Sequence, residues 1–95
     1  MIFIVSRLSR EEWAGVLRIP WQKEDMKVLL ALKKKNGIPV AEMKRVTGRE
    51  FLDTDLRRIN LVFLNLGKAV RLKERPKKGT GWGASTIQLC KSIGT

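Results

Sequence analysis

Histidine is absent from the chain, and cysteine occurs once, as Cys90. Without His and with a single thiol, the common tetrahedral zinc sites lack their ligands, and neither a Ser–His nor a Cys–His catalytic pair can be assembled. The same count excludes an internal disulfide, so a reducing, intracellular setting is the expectation: cytoplasmic and nucleoid-associated, or nuclear in a eukaryote. Long apolar runs are missing too. The opening Met-Ile-Phe-Ile-Val of residues 1–5 is too short for a signal core or a membrane span and reads as a short strand, so no membrane association is expected. Acidic residues are scarce, nine Asp and Glu against twenty Lys and Arg, which leaves a net charge of +11. Such a balance leaves the fold open but biases the choice of partner toward polyanions.

Ninety-five residues, 43% of them apolar, are enough for one domain with a single small core. From Asp53 onward nine basic residues face three acidic ones. Between Lys68 and Lys78 six of eleven residues are Lys or Arg, and only Glu74 opposes them. Clustering of that kind is the electrostatic footprint of a nucleic-acid binder rather than of an evenly solvated surface.

The order of elements follows from periodicity and punctuation. Ser9-Arg-Glu-Glu12 is a capping-box pattern, after which Trp13, Val16 and Leu17 share one helical face until Pro20 ends the helix. Residues 22–35 form the next helix. Met26, Leu29, Leu30 and Lys33 carry its stripe, Val28 and Leu32 widen it, and Lys33, Lys34 and Lys35 complement the dipole at its end. Residues 38–48 read as a compact helix, with Pro39 in the first turn, Val40, Met43 and Val46 facing inward, and Gly48 as the stop. Asp53 and Thr54 offer N-caps for a third helix through Leu66, striped by Leu56, Ile59, Phe63 and Leu66. Leu61, Val62 and Leu64 broaden that stripe, which predicts packing on more than one side. Residues 70–73 and 84–90 then form two strands joined by a Pro- and Gly-rich tip, a cationic β-hairpin. Arg71 and Lys73 alternate along the first strand and share a face that solvent or a partner must cover.

In this order, helix, compact helix, connection, helix and basic hairpin, residues 22–90 resemble the winged helix-turn-helix superfamily of DNA-binding domains. The segment Ile38-Pro-Val-Ala-Glu-Met-Lys-Arg-Val-Thr-Gly48 is similar to the second helix and turn of such domains. The basic hairpin is also similar to that of small phage- and plasmid-type replication or regulatory modules. The resemblance implies an α+β, mainly α fold: a three-helix winged helix-turn-helix core in residues 22–95 with a wing at about 70–90, preceded by a strand-and-helix extension in residues 1–21. One departure is the connector of residues 48–54, longer than the usual turn of about three or four residues. An extra turn of helix with Phe51 and Leu52 as core plugs is expected there.

The resemblance also implies a mechanism. The start of the third helix would enter the major groove, where Arg57 and Arg58 donate to guanine and Thr54 bonds a phosphate or base. Arg49, Lys44 and Arg45 would contact the backbone, and Arg71, Lys73, Arg75, Lys77 and Lys78 of the wing would follow phosphates or the minor groove, with Trp82 stacking at the tip. Each assignment has an alternative. Arg57 and Arg58 can pair with Asp53 or Asp55, the Lys33–Lys35 run can be a solvated helix end, and Trp82 can fold back onto the sheet. Trp13 and Trp21 suit a core or dimer contact better than a ligand box.

Three functions compete. The first is a DNA-binding regulator or accessory factor of mobile-element type acting on double-stranded DNA, with a homodimer formed through residues 2–17. The second is a nonspecific or structure-selective binder, with RNA or single-stranded DNA as alternative partners. The third is a winged-helix protein-interaction domain with an acidic partner. No enzyme and no cofactor are expected. The paired carboxylates Glu11–Glu12 and Glu24–Asp25 are explained by helix starts, and the Gly79-x-Gly81-x-Gly83 run lacks the strand and helix that frame a phosphate loop.

Overall fold

Two asparagine side chains complete the sheet on which this chain is built. The computed structural model describes residues 3–5, 8–79 and 81–92. Its elements run β1 (Phe3–Val5), α1 (Arg10–Leu17), α2 (Lys23–Lys34), β2 (Ile38–Pro39), α3 (Val40–Thr47), α4 (Asp53–Asn65), β3 (Val70–Arg75), a single 3₁₀ turn at Trp82–Ala84, and β4 (Thr86–Ser92). The class is α+β, with four helices against a small antiparallel sheet. β4 is central. β3 runs along one side in the register Arg71↔Cys90, Leu72↔Leu89, Lys73↔Gln88. The other side is shared by β1, which pairs Val5 with Cys90, and β2, which pairs Ile38 with Ile87.

Leu89 lies between the stretches of β4 that β1 and β2 cover. There the Asn36 side chain takes the place of a strand: its Nδ2 donates to the Leu89 carbonyl at 2.9 Å and its Oδ1 accepts from the Leu89 N–H at 2.8 Å. On the far side of the sheet Asn60 of α4 does the same for Leu72, with distances of 2.9 Å and 2.7 Å. Leu72 and Leu89 are cross-strand partners whose backbone groups point outward, so the two asparagines close opposite sides of the β3–β4 pair at the same level. A primary amide carries one donor and one acceptor side, which is what an open strand residue offers.

The inner sheet face presents Val70, Leu72, Ile87 and Leu89, all buried. They join Val28, Leu29 and Leu32 of α2, Val40 and Met43 of α3, and Ile59 and Phe63 of α4 in one cluster. α1 contributes Trp13 and Val16 to that same cluster, and its capping box is present in both directions, with Ser9 and Glu12 bonding each other's N–H. Trp21 packs edge-on against Phe63 with ring centroids 5.2 Å apart, and its indole N–H donates to the Val16 carbonyl. Of residues 2–17, expected as a dimer surface, residues 2, 6 and 7 lie outside the described residues.

Several local expectations are corrected. Ile38 and Pro39 form a strand rather than the first helical turn, because Ile38 pairs with Ile87 and the Val40 N–H donates to the Ser85 carbonyl. A residue before proline is already biased toward extended geometry. Pro39 is therefore the N-cap of α3, and Gly48 ends that helix in the left-handed conformation at φ 81°. The N-cap of α4 is Leu52, not Asp53 or Thr54; the carboxylate of Asp55 reaches back to accept the Leu52 N–H at 2.8 Å. The connector holds no extra helical turn, and of its two intended plugs Phe51 is buried while Leu52 is exposed. Leu30 of α2 and Leu61, Leu64 and Leu66 at the end of α4 are exposed, so α4 packs on one side only.

Replacing Asn60 by Ala removes both bonds to Leu72 and leaves a backbone N–H and C=O of a buried residue without partners. A loss of about 1–3 kcal/mol is expected, and Asn36→Ala should cost a similar amount; urea denaturation midpoints at constant slope check both.

Candidate nucleic-acid interface

Arg58 leaves α4 on the side facing α2, and its guanidinium donates two bonds to Asp25: one from Nη1 to Oδ2, and one from Nη2 to Oδ1 at 2.9 Å. The same Nη2 donates to Asp55 at 3.1 Å, and Arg49 in the α3–α4 connector donates to that carboxylate at 3.1 Å. Asp25 and Asp55 are both buried, so each takes a charge out of water and needs these partners. Burial alone would raise the Asp55 carboxyl, but the Leu52 N–H and the Arg49 and Arg58 guanidinium groups outweigh it, and the group sits below its ordinary value. Arg58 is held above its ordinary value, chiefly by the bonds it donates to Asp25. Two of the sequence-derived contact residues, Arg49 and Arg58, therefore belong to an internal network that fixes α4 against α2 and the connector.

Arg57 points the other way. It is 76% exposed and pairs with Asp53 one turn earlier at 2.8 Å. An exposed i,i+4 pair of this kind contributes about 0.3–0.5 kcal/mol, whereas a good bidentate guanine contact discriminates by about 1–3 kcal/mol, so the pair yields readily to a base or phosphate. Thr54 lies exposed on the same side of α4, and Lys44 and Arg45 are exposed on α3.

The alternation of β3 sorts its charges. Arg71, Lys73 and Arg75 share the outer face, opposite Cys90, Gln88 and Thr86. Glu74 is turned to the other face, where its carboxylate accepts the Ser85 hydroxyl at 2.6 Å. The outer row is thus cationic without interruption, and Lys77 and Lys78 continue it into the exposed tip. Arg71 also donates to the carbonyls of Lys68 and Val70 at 2.7 Å and 2.6 Å, which fixes its stem along the start of the strand. Burial pushes the Cys90 thiol up despite the nearby Lys73 charge, so it is a packing residue and a poor nucleophile.

Trp82 folds back. Its ring stacks on Phe51 at 6.4 Å with planes 8° apart, and its indole N–H donates to the Phe51 carbonyl at 2.8 Å. It anchors the end of the hairpin loop on the α3–α4 connector. Lys33, Lys34 and Lys35 are exposed at the end of α2.

Three sequence-derived residues, Arg57, Arg71 and Lys73, come together around one open groove of about 520 Å³ between α4 and β3, with Asn60, Leu61 and Leu64 as its other walls. Lys44 and Trp82 meet in a second hollow beside Phe51 and Leu52. The sequence gives Asp25 only the role of a helix-start carboxylate and Asn36 that of a helix stop, and it does not single out Asn60. Asp25 carries a legible signal nonetheless: it stands in helical register with Val28, Leu29 and Leu32, and so on the buried face. Among the described residues no helix is long and apolar enough to cross a membrane, and no cluster of three potential metal ligands occurs.

No protein-family model, curated protein or solved structure matches this chain.

Removing Arg58 strands the buried Asp25 carboxylate. Arg58→Ala should destabilise the fold by about 2 kcal/mol, less than the 3–5 kcal/mol of a fully enclosed pair because the guanidinium keeps a 38% exposed side chain. The Asp55 contribution is complete above the unfolded-state value of 3.8 and is lost as pH falls through the lower folded value. Melting temperatures measured from about pH 7 down to about pH 3 should fall for the native chain, and Asp55→Asn should be less stable at neutrality with a flatter acid limb.

Proposed function

We propose that this chain is a winged-helix DNA-binding module whose α4 start and β3 outer face contact duplex DNA. The single observation that carries the reading is the uninterrupted cationic row Arg71, Lys73, Arg75 on the outer face of β3, with Glu74 on the opposite face bonded to Ser85. The connectivity supports it. In the order α2, β2, α3, α4, β3, β4 the basic hairpin follows α4 directly, and β2 pairs with its second strand.

In this reading Arg57 and Thr54 are the base-reading residues, because they stand exposed on the outward side of α4 near its N-terminus. Arg58 and Arg49 hold that helix in place through Asp25 and Asp55. Lys44 and Arg45 serve the backbone, as do Lys73, Arg75, Lys77 and Lys78. Each phosphate neutralised releases counterions, so affinity should fall steeply with salt. On this reading its role is that of a regulator or accessory factor of mobile-element type.

One observation favours a second reading, a binder with little base selectivity. Beyond Arg57 the outward side of α4 carries Leu61 and Leu64, which leaves few polar groups for base edges.

Anisotropy titrations with a random duplex, a single strand and a pool-selected duplex at two salt concentrations separate these readings. A selected duplex preferred about a thousandfold marks a specific regulator, equal and steeply salt-dependent binding of every probe marks the second reading, and no binding at moderate salt rejects both. Neutralising Lys73, Arg75, Lys77 and Lys78 together should weaken all duplexes alike and flatten the salt slope by about 0.9 per lost phosphate contact; an unchanged slope removes the wing from the interface. Arg57→Ala should instead relax base preference by about 1–3 kcal/mol at one position of the selected site.

A further inference from the structure

Leu61 and Leu64 are 56% and 57% exposed, one helical turn apart on α4, and they line one groove together rather than standing singly. Isolated exposed leucines are ordinary on a protein surface, but two that share a concave apolar floor mark a contact site. The rim of this groove is basic: Arg57 on the helix side, Arg71 and Lys73 on the strand side. Among the described residues no carboxylate lines its walls, and the one at its edge is Asp53, held by Arg57 at 2.8 Å in an exposed pair.

Phosphate contacts use the rim and leave the leucines unused, since a nucleic-acid backbone brings oxygens and not apolar surface. We propose that this groove docks an acidic, amphipathic helix of a partner protein, whose apolar side chains seat on Leu61 and Leu64 while its carboxylates meet Arg57, Arg71 and Lys73. This goes beyond DNA binding and does not rest on it.

Two features select a helix over an added strand. The outward N–H and C=O of Leu72 are already bonded by Asn60, and the Lys68 and Val70 carbonyls by Arg71. Recognition must therefore run through side chains, and i,i+3 or i,i+4 anchors on a helix match a two-leucine floor. Charge selects a heterologous partner over a second copy. A symmetric pairing through this groove would bring two sets of Arg57, Arg71 and Lys73 together in a chain that already carries +11. Arg57 belongs to both surfaces, so an acidic helix seated here competes with duplex DNA.

The test uses the intact protein and a panel of fluorescein-labelled, Glu-rich peptides of about 16 residues, long enough to hold a helix in water, with two leucines at i,i+3, i,i+4 or i,i+7. At least one peptide should bind with a dissociation constant of about micromolar order. Binding should weaken at least about tenfold when its leucines become serine at unchanged charge, and again when the protein carries Leu61→Ser and Leu64→Ser, each tenfold being about 1.4 kcal/mol. Circular dichroism of that double variant should be unchanged, since both side chains are more than half exposed.

Equal binding of the leucine-free peptide, or no binding by any peptide, overturns the proposal. So does a dimer in sedimentation that the two serines dissociate, which would fill the groove with a second copy. A duplex titrated alongside distinguishes this proposal from the one above. If the serine variant loses duplex and peptide equally, the groove is a nucleic-acid surface and the proposal fails. A protein that binds the leucine peptide but no duplex keeps the groove and loses the DNA-binding reading.

Discussion

A carboxylate taken out of water must be paired, and in this chain Asp25 imposes that requirement on three separate segments. It sits on the buried face of α2, where a carboxylate needs hydrogen-bonding or charged partners. Arg58 partners it from α4, and in doing so it must also serve Asp55, which in turn caps α4 through Leu52 and receives Arg49 from the connector. The pair helps set the rotation of α4 about its axis, together with the buried Ile59 and Phe63. With Arg58 turned toward α2, the helical period puts Thr54, Arg57, Leu61 and Leu64 outward. The composition of the candidate interface follows from where the internal pair sits. The same geometry explains why adjacent arginines have unlike roles: successive helical residues point about 100° apart, so Arg57 and Arg58 cannot both face one partner.

The sheet is held by a related economy. A small sheet with a two-residue and a three-residue strand on the same side leaves a gap in its ladder, and an open gap is both a cost and an invitation to another chain. Asn36 fills the gap and Asn60 closes the far side, each from a helix-associated position. Because Asn60 belongs to α4, the bonds that close β3 also fix how α4 lies beside the hairpin. The groove between Leu61, Leu64, Arg71 and Lys73 is therefore a preformed feature of the packing rather than a chance arrangement of long side chains.

Periodicity located all four helices and the hairpin, and the Ser9–Glu12 pattern gave the first N-terminus with its reciprocal bonds. What it could not give was the outward side of α4. Leu61, Leu64 and Leu66 extend an apolar stripe in the sequence, yet burial is decided by what lies opposite, and nothing packs over those positions among the described residues. The strand at Ile38–Pro39 is two residues long, below the length at which alternation can be read, and it exists because Ile87 and Ser85 offer partners far along the chain to Ile38 and Val40. The two asparagines were invisible for the same reason: a turn asparagine and a helix asparagine look alike until their distant backbone partners are known. For the candidate site, the cations of β3 were legible from alternation alone, whereas the division of labour between Arg57 and Arg58 needed the position of Asp25.

The outward side of α4 and the outer face of β3 present two different chemistries that meet at Arg57. Toward the helix start the surface is polar, with Thr54 and the Arg57–Asp53 pair exposed, and on the proposed reading the favourable term there would come from counterion release and hydrogen bonds. Toward the helix end it is apolar, and about half of each leucine stays wet unless something dry covers it. A long-range cationic field attracts any polyanion to this side of the molecule, but only a partner that brings apolar surface gains from the leucines. Electrostatics therefore governs arrival and burial governs retention. Arg57 is common to the two proposed surfaces, so an occupant of one would compete with an occupant of the other, and each would report on the other.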